Sequence, residues 1–290
     1  MFERIVSILF PVFVIPLIGY LLARRQPMDM AQINRLIADV FVPALVFGAL
    51  AGRDFHVIEY RWLALAMLLV TVGCGLGGYV LARALRVDPK TLMPPMMFSN
   101  SVNLGVPVAV LAFGDQALQP AIVLFLISSL VHYSWGLWLL DHQARIARMW
   151  RVPSLIAMLA GLLVSLFEVS VWAPAVTALR MLGDISIPLM LFALGVRMTG
   201  ISFAGWQLGL VTGLARPALG MLLSALAARL LGLQGFEAAL LIIYGAMPPA
   251  VMNYIFAERY QQEPERVASI VMLGNLLALL VLPLALLLAL

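Results

Sequence analysis

Hydrophobic residues in this chain fall in long unbroken stretches, not in strict alternation. Seven stretches hold no Asp, Glu, Lys or Arg: residues 5–23, 62–82, 91–114, 116–140, 152–167, 238–257 and 267–290. Most reach the ~20 residues that a helix needs to cross a ~30 Å hydrocarbon layer. Three more, 31–51, 174–196 and 206–231, carry two charges each. The pattern predicts ten membrane-spanning helices, because a membrane β-barrel would show short alternating segments instead. The first stretch is long and no small-residue cleavage site follows it, so it is expected to stay as a span and not to be removed as a signal.

Composition agrees. Of 290 residues, 63% are hydrophobic and 11% charged, against roughly 25% charged in soluble domains. Mean hydropathy is +1.04. These values exclude a soluble enzyme, a nucleic-acid binder and a disordered chain, and make the lipid bilayer the first partner. The net charge of +4 reflects topology, since cytoplasmic loops concentrate basic residues. With the N-terminus outside, the inner loops hold Arg24, Arg25, Arg35, Arg83, Arg86, Lys90, Arg145, Arg148, Arg151, Arg197, Arg259 and Arg266. The outer side holds Arg4, Arg53, Arg61, Arg180 and Arg229. Twelve against five favours both termini outside; the membrane expected is a bacterial cytoplasmic one. The lone Cys74 rules out an intrachain disulfide and a cysteine metal cluster. His56 and His142 are loop residues, and no histidine spacing suggests a metal. No metal, cofactor or nucleic-acid partner is expected.

The chain also divides in two. At an offset of 145, Asp39, Pro43 and Phe47 recur as Asp184, Pro188 and Phe192, near the middle of spans two and seven. Trp62 and Trp206 open spans three and eight. Five helices is an odd number, so the second half is inserted upside down, as in many secondary transporters. The expected fold is all-α and polytopic. Residues 1–140 form the first inverted repeat and 153–290 the second, joined by a basic linker at 141–152.

Transporters of this kind hold substrate where helices break near the midplane. Span four contains Ser99-Asn100-Ser101-Val102-Asn103-Leu104-Gly105-Val106-Pro107, and span nine contains Gly245-Ala246-Met247-Pro248-Pro249-Ala250-Val251-Met252-Asn253. Proline removes an N–H and clashes with the preceding turn. Freed backbone groups within a membrane have to be satisfied or line a wet cavity. Two half-helix N-termini meeting there suit an anion such as a carboxylate. Asn100, Ser101, Asn103, Gly105, Pro107, Pro248, Pro249 and Asn253 are therefore the substrate-site candidates. A pair of kinked helices with bonded asparagines is the competing reading.

In these residues the chain resembles the auxin efflux carrier family. Span two has Ile33-Asn34-Arg35 and Phe41-Val42-Pro43-Ala44-Leu45-Val46-Phe47. Span four has Asn100, Gly105 and Pro107. Span seven runs from Asp184 to Gly195. Span nine has Ala246-Met247-Pro248 followed by Phe256-Ala257-Glu258-Arg259-Tyr260. The resemblance covers nearly the whole chain. It implies a fold like that of bile-acid symporters and sodium/proton antiporters, with spans four and nine crossed. It implies a scaffold of spans 1, 2, 6 and 7, a mobile transport domain of spans 3–5 and 8–10, a homodimer through the scaffold and elevator movement. It further implies substrate contact by Asn100 and a crossing proline at Pro248. Ser99 replaces a proline of the plant members, so the first break is expected to be softer. Ser128 stands where the plant site has a glutamine, and the long plant loop is missing. Bacterial relatives of this kind are linked to malate, malonate and other small organic acids.

Ionisable groups inside spans are functional candidates. Arg216 either balances a carboxylate substrate or bonds carbonyls freed by Pro217; on the first reading, Arg216→Gln abolishes anion uptake and leaves folding intact. Asp39 and Asp184 either carry a proton or face the substrate path, or they pair with Arg35 and Arg180, four residues earlier on the same helix face; the pairing is favoured. His132 reads first as a hydrogen-bonded interior residue and second as a proton carrier. Asn275 reads as packing or as a bond across the transport domain. The function expected is secondary transport of a small organic anion, with no catalytic residues. A receptor, a channel or an intramembrane enzyme are the alternatives. A reporter fused after Leu290 is expected to lie outside; a cytoplasmic signal would overturn the ten-helix count.

Overall fold

The computed structural model describes residues 2–26, 28–51, 55, 58–141, 150–200 and 205–290. Most of the 141–152 linker, with Arg145 and Arg148, lies outside the described residues, as do Arg53, His56 and His142. Among those described, regular structure is helical, and the one extended pairing is an antiparallel bridge between Ser99 and Pro249. The segments are α1 (Phe2–Arg25), α2 (Ala31–Leu50), α3 (Arg61–Leu85), α4 (Pro89–Met97), α5 (Ser101–Phe113), α6 (Asp115–Leu140), α7 (Pro153–Leu166), α8 (Ala173–Arg197), α9 (Trp206–Leu231), α10 (Gly235–Ala246), α11 (Met252–Arg259) and α12 (Pro264–Ala289).

Seven of these are long and apolar enough to cross a membrane: α1, α2, α3, α6, α8, α9 and α12. The other three stretches of the ten expected spans are shorter. Span four is divided into α4 and α5, and span nine into α10 and α11. Span six is the 14-residue α7, about 21 Å long. Large apolar side chains such as Phe10, Val80, Leu230 and Leu280 stand exposed on the long helices, as they do where lipid is the solvent.

Both breaks are complete. Phe98, after α4, is extended (φ −102°, ψ 109°), and so is Met247, after α10 (φ −61°, ψ 140°). Prolines explain the second break: Pro249 has no N–H to give the Gly245 carbonyl four residues back. Ser99 was expected to soften the first. It does not, because the facing backbone of the second break pairs with this segment and holds it extended.

Prolines also widen two helices. α2 has a π-turn at Ile37–Phe41 and α5 one at Ser101–Gly105. Pro43 and Pro107 follow these turns and deny an N–H to the carbonyls of Asp39 and Asn103. Each turn closes by a longer bond, from Val42 to Ile37 and from Val106 to Ser101. A third π-turn, His132–Gly136 in α6, ends at a glycine whose Cβ would meet the Phe98 ring at 2.7 Å.

The helices pack in two groups. α1 lies along α8, and α2 against α7 and α8. α9 lies along α10, α12 and α3, while α3 packs on α4 and α6. Glycines let backbones approach within each group, a common device between membrane helices. A Cβ on Gly195 would collide with the Pro16 carbonyl, and one on Gly19 with that of Phe192. In the second group, a Cβ on Gly213 would stand 3.1 Å from the Gly274 Cα, and one on Gly220 would strike the Gly245 carbonyl. Among the described glycines, every such close approach falls inside one group and none joins the two.

The pairing of Asp39 with Arg35 and of Asp184 with Arg180 does not occur. Among the described residues the one ion pair is Arg266–Glu263. The π-turn that begins at Ile37 rotates Asp39 off the face of Arg35. For Arg180 and Asp184 the order is the weaker one, with the cation N-terminal to the acid.

Gly195→Ala is expected to cost at least ~1–3 kcal/mol, because the obstructing atoms are backbone. Gly48→Ala, where an added Cβ meets nothing within 4 Å, is the control. Equal melting temperatures for the two in detergent would contradict the α1–α8 contact.

Candidate functional site

The two breaks pair with each other through their backbones. Asn100 N–H donates to the Pro248 carbonyl at 2.7 Å, and Ala250 N–H donates to the Phe98 carbonyl at 2.9 Å. Side chains complete the set. Asn253 Nδ2 donates to the carbonyls of Phe98 (3.0 Å) and Ala250 (2.9 Å). Asn275 Nδ2 donates to those of Pro249 (3.0 Å) and Val271 (2.8 Å). Asn100 Nδ2 donates to Asn275 Oδ1 at 2.9 Å. All three asparagines are at most 8% exposed. Asn275, read from sequence chiefly as packing, thus bonds across from α12 to both breaks.

Arg216 belongs to the same clamp. It is 1% exposed, and its Nη1 donates to the carbonyls of Gly245, at 2.7 Å, and Met247. Gly245 is the carbonyl that Pro249 leaves unserved. Of the two sequence readings, the guanidinium therefore meets backbone carbonyls, but those of the second break and not those freed by Pro217. Arg216→Gln thus removes bonds that belong to the fold as well as a charge. Pro248 and Pro249 make the break. Ser101 is buried in the π-turn and Pro107 just after it. Gly105 gives room to the Tyr244 ring, 3.1 Å from where its Cβ would stand. Ser128 is buried within α6.

His132 is also interior, though it is not held as expected. Its ring stacks on Phe98 (centroids 4.0 Å, 9° between planes) and meets Phe256 edge-on at 5.1 Å. Its buried Nε2 has no hydrogen-bond partner. The π-turn that begins at His132 brings the ring onto Phe98, so aromatic stacking takes the place of a hydrogen bond.

One asparagine of the π-turn remains open. Asn103 makes no side-chain hydrogen bond among the described residues and lines a cavity of about 360 Å³. α2 supplies Asn34, Arg35 and Asp39 to its wall, α6 Tyr133, α7 Ser154 and α8 Arg197. Ala250, Val251, Met252 and Ile255 also line it. The cavity lies at the seam between the two helix groups, beside the crossing. Arg197 is half-buried and has no acidic partner among the described residues. Two cations, one carboxylate and several neutral donors suit a small anion. Asp39 is brought to this cavity; Asp184, in regular helix, is not.

The sequence reading missed Arg197 and Ser154. Arg197 counted as a loop charge that sets topology, and Ser154 as part of an apolar run. The π-turn ahead of Pro43, which brings α2 to the same place, was the readable signal.

Removing the Arg216 guanidinium strands two buried carbonyls, and hydrogen bonds to charged groups are worth about 1.5–3 kcal/mol each. Arg216→Gln is expected to lower the melting temperature markedly, and Arg216→Lys less. Wild-type stability in both would show that these carbonyls have other donors.

Comparison with known proteins agrees with this architecture. The profile of the membrane transport protein family matches residues 4–148 and 144–286, nearly the whole chain. An uncharacterized transporter of Methanothermobacter thermautotrophicus is 28% identical over 97% of this chain and 96% of its own length. Auxin efflux carrier component 8 of Arabidopsis thaliana is 22% identical over 95% of each chain. An uncharacterized transporter of Methanocaldococcus jannaschii is 22% identical over 87% of each. With the family profile covering both halves of a multi-pass helical chain, the protein belongs to the membrane transport protein family that includes the auxin efflux carriers, and it is a membrane transporter.

Proposed function

We propose that the protein is a secondary carrier of small organic anions, carboxylates such as malate or malonate, working by elevator-type alternating access. The observation that carries this reading is the polar cavity at the seam, next to a helix crossing, where among the described residues Asn103 has no side-chain hydrogen bond and Arg197 no acidic partner. A carboxylate there accepts from the Asn103 amide and the Arg197 guanidinium. The charge is neutralised by a residue whose own desolvation is thereby offset. The amide clamp around Asn100, Asn253, Asn275 and Arg216 holds the crossing rigid and positions Asn103.

The ten spans are read as two inverted repeats of five, 1–140 and 153–290. The scaffold is α1, α2, α7 and α8. The moving body is α3 to α6 with α9 to α12, and it carries the crossing past the scaffold. The distribution of close glycine contacts supports this division: each body is tightly packed within itself, and the cavity lies between them.

A second copy docks on the scaffold. Asp184, mid-span in α8, is exposed and has no partner among the described residues. A carboxylate facing lipid is costly, and a homodimer through this face covers it. The assigned location is a bacterial cytoplasmic membrane with both termini outside.

Labelled mono- and dicarboxylates in proteoliposomes provide the test. Wild-type protein is expected to support saturable counterflow. Arg197→Gln and Asn103→Ala are expected to cut it by about tenfold, the loss of ~1.4 kcal/mol in binding, with melting temperatures unchanged. Binding without counterflow would favour a receptor, and non-saturable flux a channel.

A further inference from the structure

The seam holds a second cavity of a different character. About 460 Å³ in volume, it lies between α1 and α12, with Leu194 and Met198 from the α8 end behind it. Its wall from α1 is Val12, Phe13, Pro16, Leu17 and Tyr20, and apart from Tyr20 and Asn275 the lining is apolar. Leu17, Leu276 and Leu279 are each 40–52% exposed, so the cavity opens sideways toward the membrane and not toward water. A hydrocarbon-lined space that opens into lipid does not stay empty, since its lining atoms lose their dispersion partners.

A cationic helix end adjoins the Tyr20 side of this groove. Arg24 and Arg25 close α1. Arg24 reaches back over the Tyr20 ring (5.9 Å to its centroid) and donates to Tyr20 Oη at 3.4 Å. Both arginines are exposed and neither has an acidic partner among the described residues. Basic clusters beside an apolar groove between helices bind acidic lipid headgroups. The length fits as well. From Arg24 to Val12 is about 18 Å along the helix, close to the ~15 Å of a single leaflet.

We propose that this groove is a binding site for one anionic phospholipid of the leaflet on the Arg24 side. Its phosphate sits at Arg24 and Arg25, and one acyl chain lies along Pro16 and Phe13 as far as Leu104 and Asn275. The site is distinct from the polar cavity, although Leu194 lines both. The chain fills the gap between α1 and α12, where the two helix groups meet without a glycine contact. It thereby supplies the packing that the protein omits there.

Native mass spectrometry of protein extracted in mild detergent, with phosphatidylglycerol and phosphatidylcholine added in equal amounts, tests this without reference to transport. Wild type is expected to retain one phosphatidylglycerol per chain in preference to phosphatidylcholine. R24Q/R25Q, on exposed positions, is expected to lose that preference while its melting temperature without lipid stays unchanged. Leu276→Trp, which fills the groove, is expected to reduce retention of both lipids about tenfold. Equal retention of the two lipids by wild type would overturn the proposal, as would a phosphatidylglycerol preference that survives in both variants. Because the readout is bound lipid, a failure here leaves the carrier reading standing, and a failed counterflow assay leaves this one.

Discussion

A carbonyl within hydrocarbon has no water to turn to, so a helix that breaks in mid-membrane has to find its donors inside the protein. Here two helices break side by side, and each supplies what the other lacks. Phe98 and Pro248 offer carbonyls; Ala250 and Asn100 offer the N–H groups that meet them. The surplus carbonyls of Gly245, Met247, Pro249 and Ala250 draw in one guanidinium and two amides. This constraint accounts for the burial of Asn100, Arg216, Asn253 and Asn275 in an otherwise apolar chain. It also explains why they come from four separate elements, α9, α11, α12 and the break before α5.

The same constraint divides the polar groups into two sets. Arg216, Asn253 and Asn275 spend N–H groups on backbone carbonyls, while Arg216 Nε and Asn253 Oδ1 stay buried without a partner among the described residues. The open polar groups lie one turn away, at the seam. There, prolines four residues beyond Asp39 and Asn103 widen the helices into π-turns, a feature frequent at functional sites. On the proposed reading, the ligand-facing polar groups sit beside the crossing and not within it.

Much of this was legible in the sequence, and the parts that were not share a cause. Charge-free runs of about twenty residues mark the long helices because one residue adds a fixed 1.5 Å. Pro248-Pro249 marks a break because proline has no N–H. The pattern does not reveal how a break is repaired. Ser99 seemed too mild to end a helix, but the decisive bonds come from residues about 150 positions away. Arg35 and Asp39 have the spacing of an i,i+4 pair, but a π-turn starting between them changes the angle. Arg197 closes a span like any topology-setting arginine, and only the folding of α8 against α2 and α5 carries it to Asn103. Spacing along one helix is readable; which side chain meets a distant backbone is not.

Tight and loose packing then divide the molecule in a way that bears on movement. Between membrane helices there is no hydrophobic drive to associate, since lipid tails are as apolar as leucine. Firm contact depends on backbones approaching over small residues. Gly19 and Gly195 bring α1 onto α8; Gly209, Gly213 and Gly220 bring α9 onto α12 and α10. Across the seam, branched and aromatic side chains meet instead, and two cavities remain, one polar and one apolar. An interface of that kind has no interlocked backbone, which suits the sliding proposed for it. The same glycines that make each body rigid therefore leave the seam between them as the place where the least packing is lost on displacement.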